Sequence, residues 1–340
     1  MASRRCSFCS GRRARWKASA VVTAASLHSA TPFCYYQNGV ALNCEGTEHI
    51  PQVFFLTGSS RGLGRQIAEA ALAAGHQLVA TARRPDALAD LAGRYGSRVL
   101  PVALDVTDPD AAVAAVTAGA EAFGRIDVVV NNAGYANLAA VEDMTLADFR
   151  AQVDANLFGV VNVTKAALPL LREQGGGHII QVSSIGGRLA TAGLAAYQAA
   201  KWAVGGFSEV LAKEVGPLGI KVTVLEPGGM QTDWAGSSMR VPPISEPYQP
   251  TVGAMARLHH DLGSTSALGD PAKVARVVLE VAGMAEPPLR LILGSEAYAY
   301  ATAAARARAE SDAAWHHLTV STDRDDATAA DRDPLAAASS

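Results

Sequence analysis

Tyr197 and Lys201 stand four residues apart in an alanine-rich stretch that reads as a helix, so phenol and ammonium project from one face and can meet one ligand. An undisturbed tyrosine titrates near 10, roughly three units too high for acid and base work near neutrality. A neighbouring ammonium favours the phenolate, and a lowering of that size corresponds to about 4 kcal/mol. The pair therefore suits proton transfer to or from a reacting oxygen. Upstream, Ser183-Ser184 offers a hydroxyl able to hold that oxygen in place, and strand alternation lets only one of the two face the site. Each residue also has a plainer reading: a core tyrosine with a solvated tip, a surface lysine, a strand end.

A second constellation lies far upstream. Thr57-Gly58-Ser59-Ser60-Arg61-Gly62-Leu63-Gly64 follows the apolar run Val53-Phe54-Phe55-Leu56 and precedes an alanine-rich segment. Glycines there let the backbone approach a pyrophosphate, and the free amides and positive end of the following helix stabilise its charge. The alternative is a tight strand-to-helix turn, but the placement points to a nucleotide. A phosphate-transfer loop is excluded because no Gly-Lys-Ser/Thr ending is present.

These residues need a frame. From Gln52 onward short apolar runs alternate with helical patterns, the signature of βαβ units around a parallel sheet. Strands are expected at Val53–Thr57, Gln77–Ala82, Val99–Ala103, Val128–Asn131, His178–Ser183, Lys221–Leu225 and Leu289–Leu293. Helices are expected at Leu63–Ala74, Pro85–Arg94, Asp108–Phe123, Leu146–Gln174, Ala195–Val215 and Pro271–Met284. Asp108 before Pro109 is an N-cap signal, and Gly75 suits a left-handed helix end. The fold class is α/β, Rossmann-like and doubly wound, with seven mostly parallel strands and helices on both faces.

In spacing, the glycine turn resembles that of the short-chain dehydrogenase/reductase family, Thr-Gly-x-x-x-Gly-x-Gly. Further matches follow in order: Asp105-Val106, Asn131-Asn132-Ala133-Gly134, Asn156, Ser184 ahead of Tyr197-x-x-x-Lys201, and Pro227-Gly228. The resemblance spans about Gln52 to Ser295. It implies a catalytic set of Asn156, Ser184, Tyr197 and Lys201. The interval to the tyrosine selects Ser184 over Ser183, Asn156 links the lysine through water to bulk proton exchange, and Lys201 also bonds the nicotinamide ribose. It further implies a dinucleotide held by Gly58, Ser60, Arg61, Gly62, Leu63, Gly64, Arg83, Asp105, Val106, Asn132, Ala133, Gly134, Tyr197, Lys201, Pro227, Gly228 and Thr232. Asp105-Val106 is expected at adenine and Pro227-Gly228 at nicotinamide.

Charge at the end of the second strand decides between dinucleotides. An acid there would bind the ribose hydroxyls of NAD and repel an added phosphate. Here the position is Ala82, followed by Arg83 and Arg84, and a guanidinium fork can hold a 2′-phosphate, with Arg61 as a second cation. NADP(H) is the expected cofactor, with NAD(H) as the lesser possibility; surface arginines opening a helix are the alternative reading.

The expected activity is that of an alcohol dehydrogenase or carbonyl reductase acting on an apolar small molecule. Leu138, Leu189, Leu194, Met230, Trp234, Met239 and Tyr248 suggest the apolar character, though all could equally pack against the body. Competing readings are a noncatalytic dinucleotide sensor and an extended-type sugar epimerase or dehydratase, whose glycine spacing differs. An enoyl reductase would space tyrosine and lysine further apart.

Composition narrows the field. Of 340 residues 49% are hydrophobic and 18% charged, enough apolar surface for a large core and incompatible with disorder throughout. The 29 basic and 32 acidic residues leave a net charge of −3, too little field to attract nucleic acid or anionic lipid, and no apolar run is long enough for a membrane span. A cytoplasmic location is expected, and the family resemblance implies a homodimer or homotetramer paired through the long helices near Asn156 and Tyr197.

Residues 1–50 read as an N-terminal extension, disordered or a mis-called start, basic and carrying all four cysteines, Cys6, Cys9, Cys34 and Cys44. Their spacing does not complete a zinc site, and His259-His260 has no carboxyl cluster, so no metal is expected. Residues 51–300 form the catalytic domain, with 228–270 as an irregular substrate lid. A C-terminal helix to about Trp315 and a solvated tail complete 301–340. Asn162-Val163-Thr164 matches a glycosylation sequon by chance, within a predicted helix.

Overall fold

The computed structural model describes residues 35–37, 40–42, 51–232, 239–262 and 267–333. Residues 1–50 and 51–340 are separate units. In the first, Tyr35–Gln37 pairs antiparallel with Val40–Leu42. In sequence, Asn38-Gly39 stands between them, a dipeptide that favours two-residue hairpin loops. The remaining expectation for residues 1–50, including the four cysteines, lies outside the described residues.

The second unit is built on seven strands: β1 (Val53–Leu56), β2 (Gln77–Ala82), β3 (Val99–Ala103), β4 (Val128–Asn131), β5 (Gly177–Val182), β6 (Ile220–Pro227) and β7 (Arg290–Leu293). Their order is β3-β2-β1-β4-β5-β6-β7 and every neighbouring pair is parallel, wholly rather than mostly so. Each crossover returns the chain to the same end of the sheet, which is what parallel pairing requires. The order reverses between β1 and β4, opening a crevice at their carboxyl ends.

Helices α1 (Gly62–Ala73), α2 (Ala89–Tyr95), α3 (Pro109–Phe123), α4 (Leu146–Val153), α5 (Gly159–Glu173), α6 (Ala195–Val215), α7 (Ala254–Leu262), α8 (Pro271–Gly283) and α9 (Ser295–Ala314) cover the sheet and its end. The run Val53-Phe54-Phe55-Leu56 is buried throughout because both faces of β1 are covered. Phe54 and Leu56 pack with Leu63, Ile67, Val274 and Val278 of α1 and α8. Val53 and Phe55 pack on the opposite side with Val116, Val163 and Leu211 of α3, α5 and α6. Burying each such side chain contributes about 1.5–3 kcal/mol. Asp108 accepts from the amides of Asp110 and Ala111 as the N-cap of α3, and Gly75 has φ +91° after α1.

Three expectations need correction. The helix expected over Leu146–Gln174 is α4 and α5 joined by a π-helical turn, Asp154–Phe158, and the segment Pro85–Arg94 opens with a 3-10 turn, Pro85–Leu88, before α2. Periodicity alone does not reveal a single inserted residue. Within 228–270, the residues Glu246–Leu262 are not irregular: a 3-10 turn at Glu246–Tyr248 and a π turn at Gln249–Gly253 lead into α7. Its apolar residues Met239, Ile244, Tyr248, Val252 and Met255 gather with Leu138, Leu194 and Tyr197, and that packing supplies what its proline-rich sequence obscures. After α9, the exposed tail contains α10 (His316–Val320) and α11 (Ala329–Arg332), the latter closed by a Thr328–Asp331 capping box.

Candidate active site

The glycine turn links β1 to α1. Gly58 and Gly62 have φ of +69° and +55°, and a Cβ on Gly64 would stand 2.2 Å from the Gly58 carbonyl oxygen, so only glycine fits there. No side chain caps α1 at Arg61 and no acid sits in its first turn, leaving amides and a positive helix end facing the crevice. The turn is braced from β4. Thr57 Oγ1 accepts from the amides of Asn132 and Ala133 at 2.9 Å each, and Asn132 Nδ2 donates to the Thr57 carbonyl at 3.0 Å. Sequence reasoning passed over Thr57 as a brace, although its place at the head of the turn could have suggested it.

At the end of β2, Ser60, Arg61, Ala82, Arg83, Arg84 and Ala87 line a hollow of about 490 Å³. Beyond β3, the Asp105 carboxylate accepts from the amide and hydroxyl of Thr107, which hold it below the ordinary range with help from the charge of Arg83.

The proton-transfer group comes from α6 and the end of β5. Ser184 caps a 3-10 turn, Ile185–Gly187, its Oγ accepting from the Gly186 amide at 3.0 Å and hydrogen-bonding the Tyr197 phenol. Its neighbour Ser183 also borders the cavity but is buried and donates to the Lys201 carbonyl at 3.3 Å. Lys201 Nζ lies 5.6 Å from the centre of the Tyr197 ring and donates to the Val182 carbonyl at 2.8 Å. Burial pushes the phenol up to about 12, with Ser184 opposing it, and pushes the Lys201 ammonium down to about 8. The expected lowering of the tyrosine by its lysine is thus not the governing effect in this geometry. Desolvation of a phenol in an apolar surround outweighs it.

Asn156 lies on the π turn between α4 and α5, fully buried. Its Nδ2 donates to the carbonyls of Tyr135 and Gln152 at 2.8 Å each, while its Oδ1 has no partner among the described residues. The extra residue of the π turn turns this amide toward Gly134 and Lys201.

One cavity of about 940 Å³ collects these parts. Every residue expected at the catalytic and dinucleotide positions lines it, from Gly58, Arg83 and Asp105 to Ser184, Tyr197, Pro227 and Thr232. Tyr135, Asn137, Thr191 and Arg240, on loops whose sequence carries no periodic signal, also line it and were not anticipated, as do Gln198 on α6 and His259 on α7. Of the residues behind the apolar-substrate expectation, Leu189, Leu194 and Met230 line the cavity. Leu138, Met239 and Tyr248 are in the cluster beneath α7, and Trp234 lies outside the described residues. The Asn162 amide donates to the Val106 carbonyl at 3.0 Å from within α5. Among the described residues there is no cluster able to hold a metal, and no helix is long and apolar enough to cross a membrane.

The sequence matches the family model for short chain dehydrogenase over residues 52–240. Oxidoreductase BOA17 of Botryotinia fuckeliana is 59% identical over 273 residues, covering 80% of this chain and 99% of that protein. Oxidoreductase calM of Penicillium decumbens is 37% identical, covering 72% and 84% respectively. Among solved structures, a short-chain dehydrogenase from Streptomyces avermitilis superposes with a TM-score of 0.76 at 37% identity over 81% of this chain and all of that one. An alcohol dehydrogenase from the archaeon Thermococcus sibiricus, complexed with 5-hydroxy-NADP, does so with a TM-score of 0.60 at 26% identity, covering 72% and 96%. A matching model over more than half the chain, a matching sheet order and relatives matched over most of their length have one meaning: this protein is an oxidoreductase of the short-chain dehydrogenase/reductase family.

Proposed function

We propose that the protein is an NADP(H)-dependent oxidoreductase that moves a hydride between the nicotinamide and a carbonyl or secondary alcohol of an apolar small molecule, with Tyr197 as acid and base. The observation that carries this reading is the Ser184–Tyr197 hydrogen bond in the same cavity as an uncapped helix N-terminus behind a glycine turn. The cradle at Gly64 and the unpartnered Oδ1 of Asn156 fit a bound dinucleotide and its water. The cationic hollow at Arg61, Arg83 and Arg84 favours the 2′-phosphorylated form, and the archaeal relative was captured with an NADP analogue.

Gly58, Ser60, Gly62, Leu63 and Gly64 would hold the pyrophosphate, Asp105 and Val106 the adenine, and Asn132, Ala133, Gly134 and Lys201 the ribose. Pro227, Gly228 and Thr232 would flank the nicotinamide. When bound, that ring supplies or takes the hydride. Ser184 fixes the substrate oxygen near the phenol, which limits the reactive poses. A phenol pushed up to about 12 is protonated at neutral pH, the form that donates to a developing alkoxide in reduction; in oxidation the roles reverse. Lys201 would orient the ribose, and Asn156 would hold through its Oδ1 the water that links the lysine to proton exchange with solvent.

Following NADPH absorbance against ketones, aldehydes, steroids and quinones, with Tyr197→Phe as the control, tests this. Turnover lost in Tyr197→Phe supports the assignment. Full activity in that variant removes Tyr197 as the acid, and binding without turnover of any substrate favours the noncatalytic sensor. Exposed Phe158 and Val210, one just ahead of α5 and the other on α6, suit pairing of two copies, which sedimentation measures directly.

A further inference from the structure

We propose that Glu226 and Arg188 form a positioning pair that sets the distance between the Ser184 turn and the Pro227-Gly228 loop, and with it the hydride-transfer geometry. The role rests on the function proposed above. Glu226 is a fully buried carboxylate in β6, one residue before Pro227. Its oxygens are divided between two arginines. Oε2 accepts from Arg188 Nε at 2.7 Å, and Oε1 accepts from Arg290 Nε at 3.1 Å and from Arg290 Nη2. Arg290 Nη1 continues to Glu209 on α6 at 2.7 Å, lying over Gly205, where a Cβ would come within 3.0 Å of the guanidinium. Two acids and two arginines balance in charge.

A buried ion pair is a weak source of stability, since an apolar filling of equal volume would serve as well. What it adds is direction. Arg188 closes the 3-10 turn that Ser184 opens: the Gly187 amide donates to the Ser184 carbonyl at 2.9 Å and the Arg188 amide to that of Ile185 at 2.8 Å. On its other side this turn rests on the catalytic helix, where a Cβ at Gly187 would stand 2.9 Å from the Lys201 carbonyl. The turn is therefore held between α6 and the Glu226 carboxylate, and the chain continues from that carboxylate directly into the loop expected at the nicotinamide. The far end of α9 joins the same point, Arg308 donating to the Arg188 carbonyl with its guanidinium 4.7 Å from the centre of the Trp202 ring. Neither Glu226 nor Arg188 reaches the reacting atoms, so both act through Ser184 and Pro227.

The test compares Arg188→Ala, Arg188→Lys and Glu226→Gln with the wild-type enzyme. It reads kcat, cofactor Kd, the primary deuterium isotope effect from cofactor labelled at the transferred position, and hydrogen exchange of the amides at 186–188. Arg188→Ala is expected to lose about tenfold or more in kcat with cofactor Kd nearly unchanged. Its isotope effect should rise, the turn amides should exchange faster, and Arg188→Lys should recover part of kcat. Unchanged kcat and isotope effect in a folded Arg188→Ala overturn the proposal. If that variant does not fold, Glu226→Gln, which keeps the shape and removes the charge, decides in its place, with wild-type kcat again the overturning result. A wild-type protein inert toward every substrate would remove the hydride-transfer reading instead. In that case turn amides as protected in the variants as in the wild type overturn the anchoring by themselves.

Discussion

Asn156 Oδ1 lies where a side chain at Gly134 would begin: a Cβ on Gly134 would stand 2.5 Å from that oxygen and 3.7 Å from Lys201 Nζ. The glycine that ends the Asn-Asn-Ala-Gly run is therefore matched to a residue from a different element, the π turn between α4 and α5. Substituting Gly134→Ala should push the buried amide away and cost about a hundredfold in kcat, the effect of roughly 1 Å of misplacement. Because the clash is with one side chain, Gly134→Ala combined with Asn156→Ala should be no slower than Asn156→Ala alone. Strictly multiplicative losses in the double variant would show that the two positions act independently.

Burial lowers Lys201 to about 8, so its ammonium is lost as pH rises through that value rather than near 10.5. If the charge is needed to hold the ribose and support the phenol, kcat/KM for reduction should fall about tenfold per pH unit on the alkaline side of 8. Lys201→Arg, which keeps its charge, should move that limb upward even if its maximum rate is lower. A profile flat to pH 10 in the wild type would remove the lysine from proton transfer.

Arg83→Ala should weaken use of NADPH and leave NADH nearly untouched. Loss of a charge-assisted hydrogen bond corresponds to about 1.5–3 kcal/mol, or roughly ten- to a hundredfold in kcat/KM. The measurement is the ratio of kcat/KM for the two cofactors. An unchanged ratio would mean that the hollow beside Ala82 does not read the 2′-phosphate.

His178 predicts the response to acid. It is buried between β5 and β6, its Nε2 is 3.0 Å from the Thr223 hydroxyl, and that hydroxyl donates to the Pro288 carbonyl at 2.8 Å. Nε2 is therefore the donor, and Nδ1 is bare and without a partner among the described residues. Burial, and then the charge of Lys221, lower the imidazole from 6.5 to about 4. Above 6.5 neither folded nor unfolded chain holds the proton; between 6.5 and 4 only the unfolded chain does. Stability should thus decline by about 1.4 kcal/mol per pH unit across that window, of order 3 kcal/mol in all, and level off below it. Urea unfolding of wild type and His178→Gln at several pH values separates this contribution. Parallel pH dependences in the two proteins would count against it.

The inner strands of the main unit were legible because burial on both faces writes itself as continuous apolar runs: the expected bounds of β2 and β4 coincide with those observed. The glycine turn was legible for a related reason, since positive φ and close backbone approach leave glycine as the residue that fits. The helices of 228–270 were not, because Pro, Gly and Ser mask a structure that long-range packing of Met239, Tyr248 and Val252 against Leu138 stabilises.

What the amino-acid order determined unaided was thus local: which runs become strands, where the chain turns, which residue types could handle a phosphate or a proton. Tertiary structure decided the rest. Nothing in the order of residues links Arg188 to Glu226, 38 positions away, nor does any period in the sequence pair Gly134 with Asn156. Nor could spacing foretell that the Tyr197 phenol is pushed upward, because desolvation depends on everything packed around a group, and that surround is assembled from segments distant along the chain.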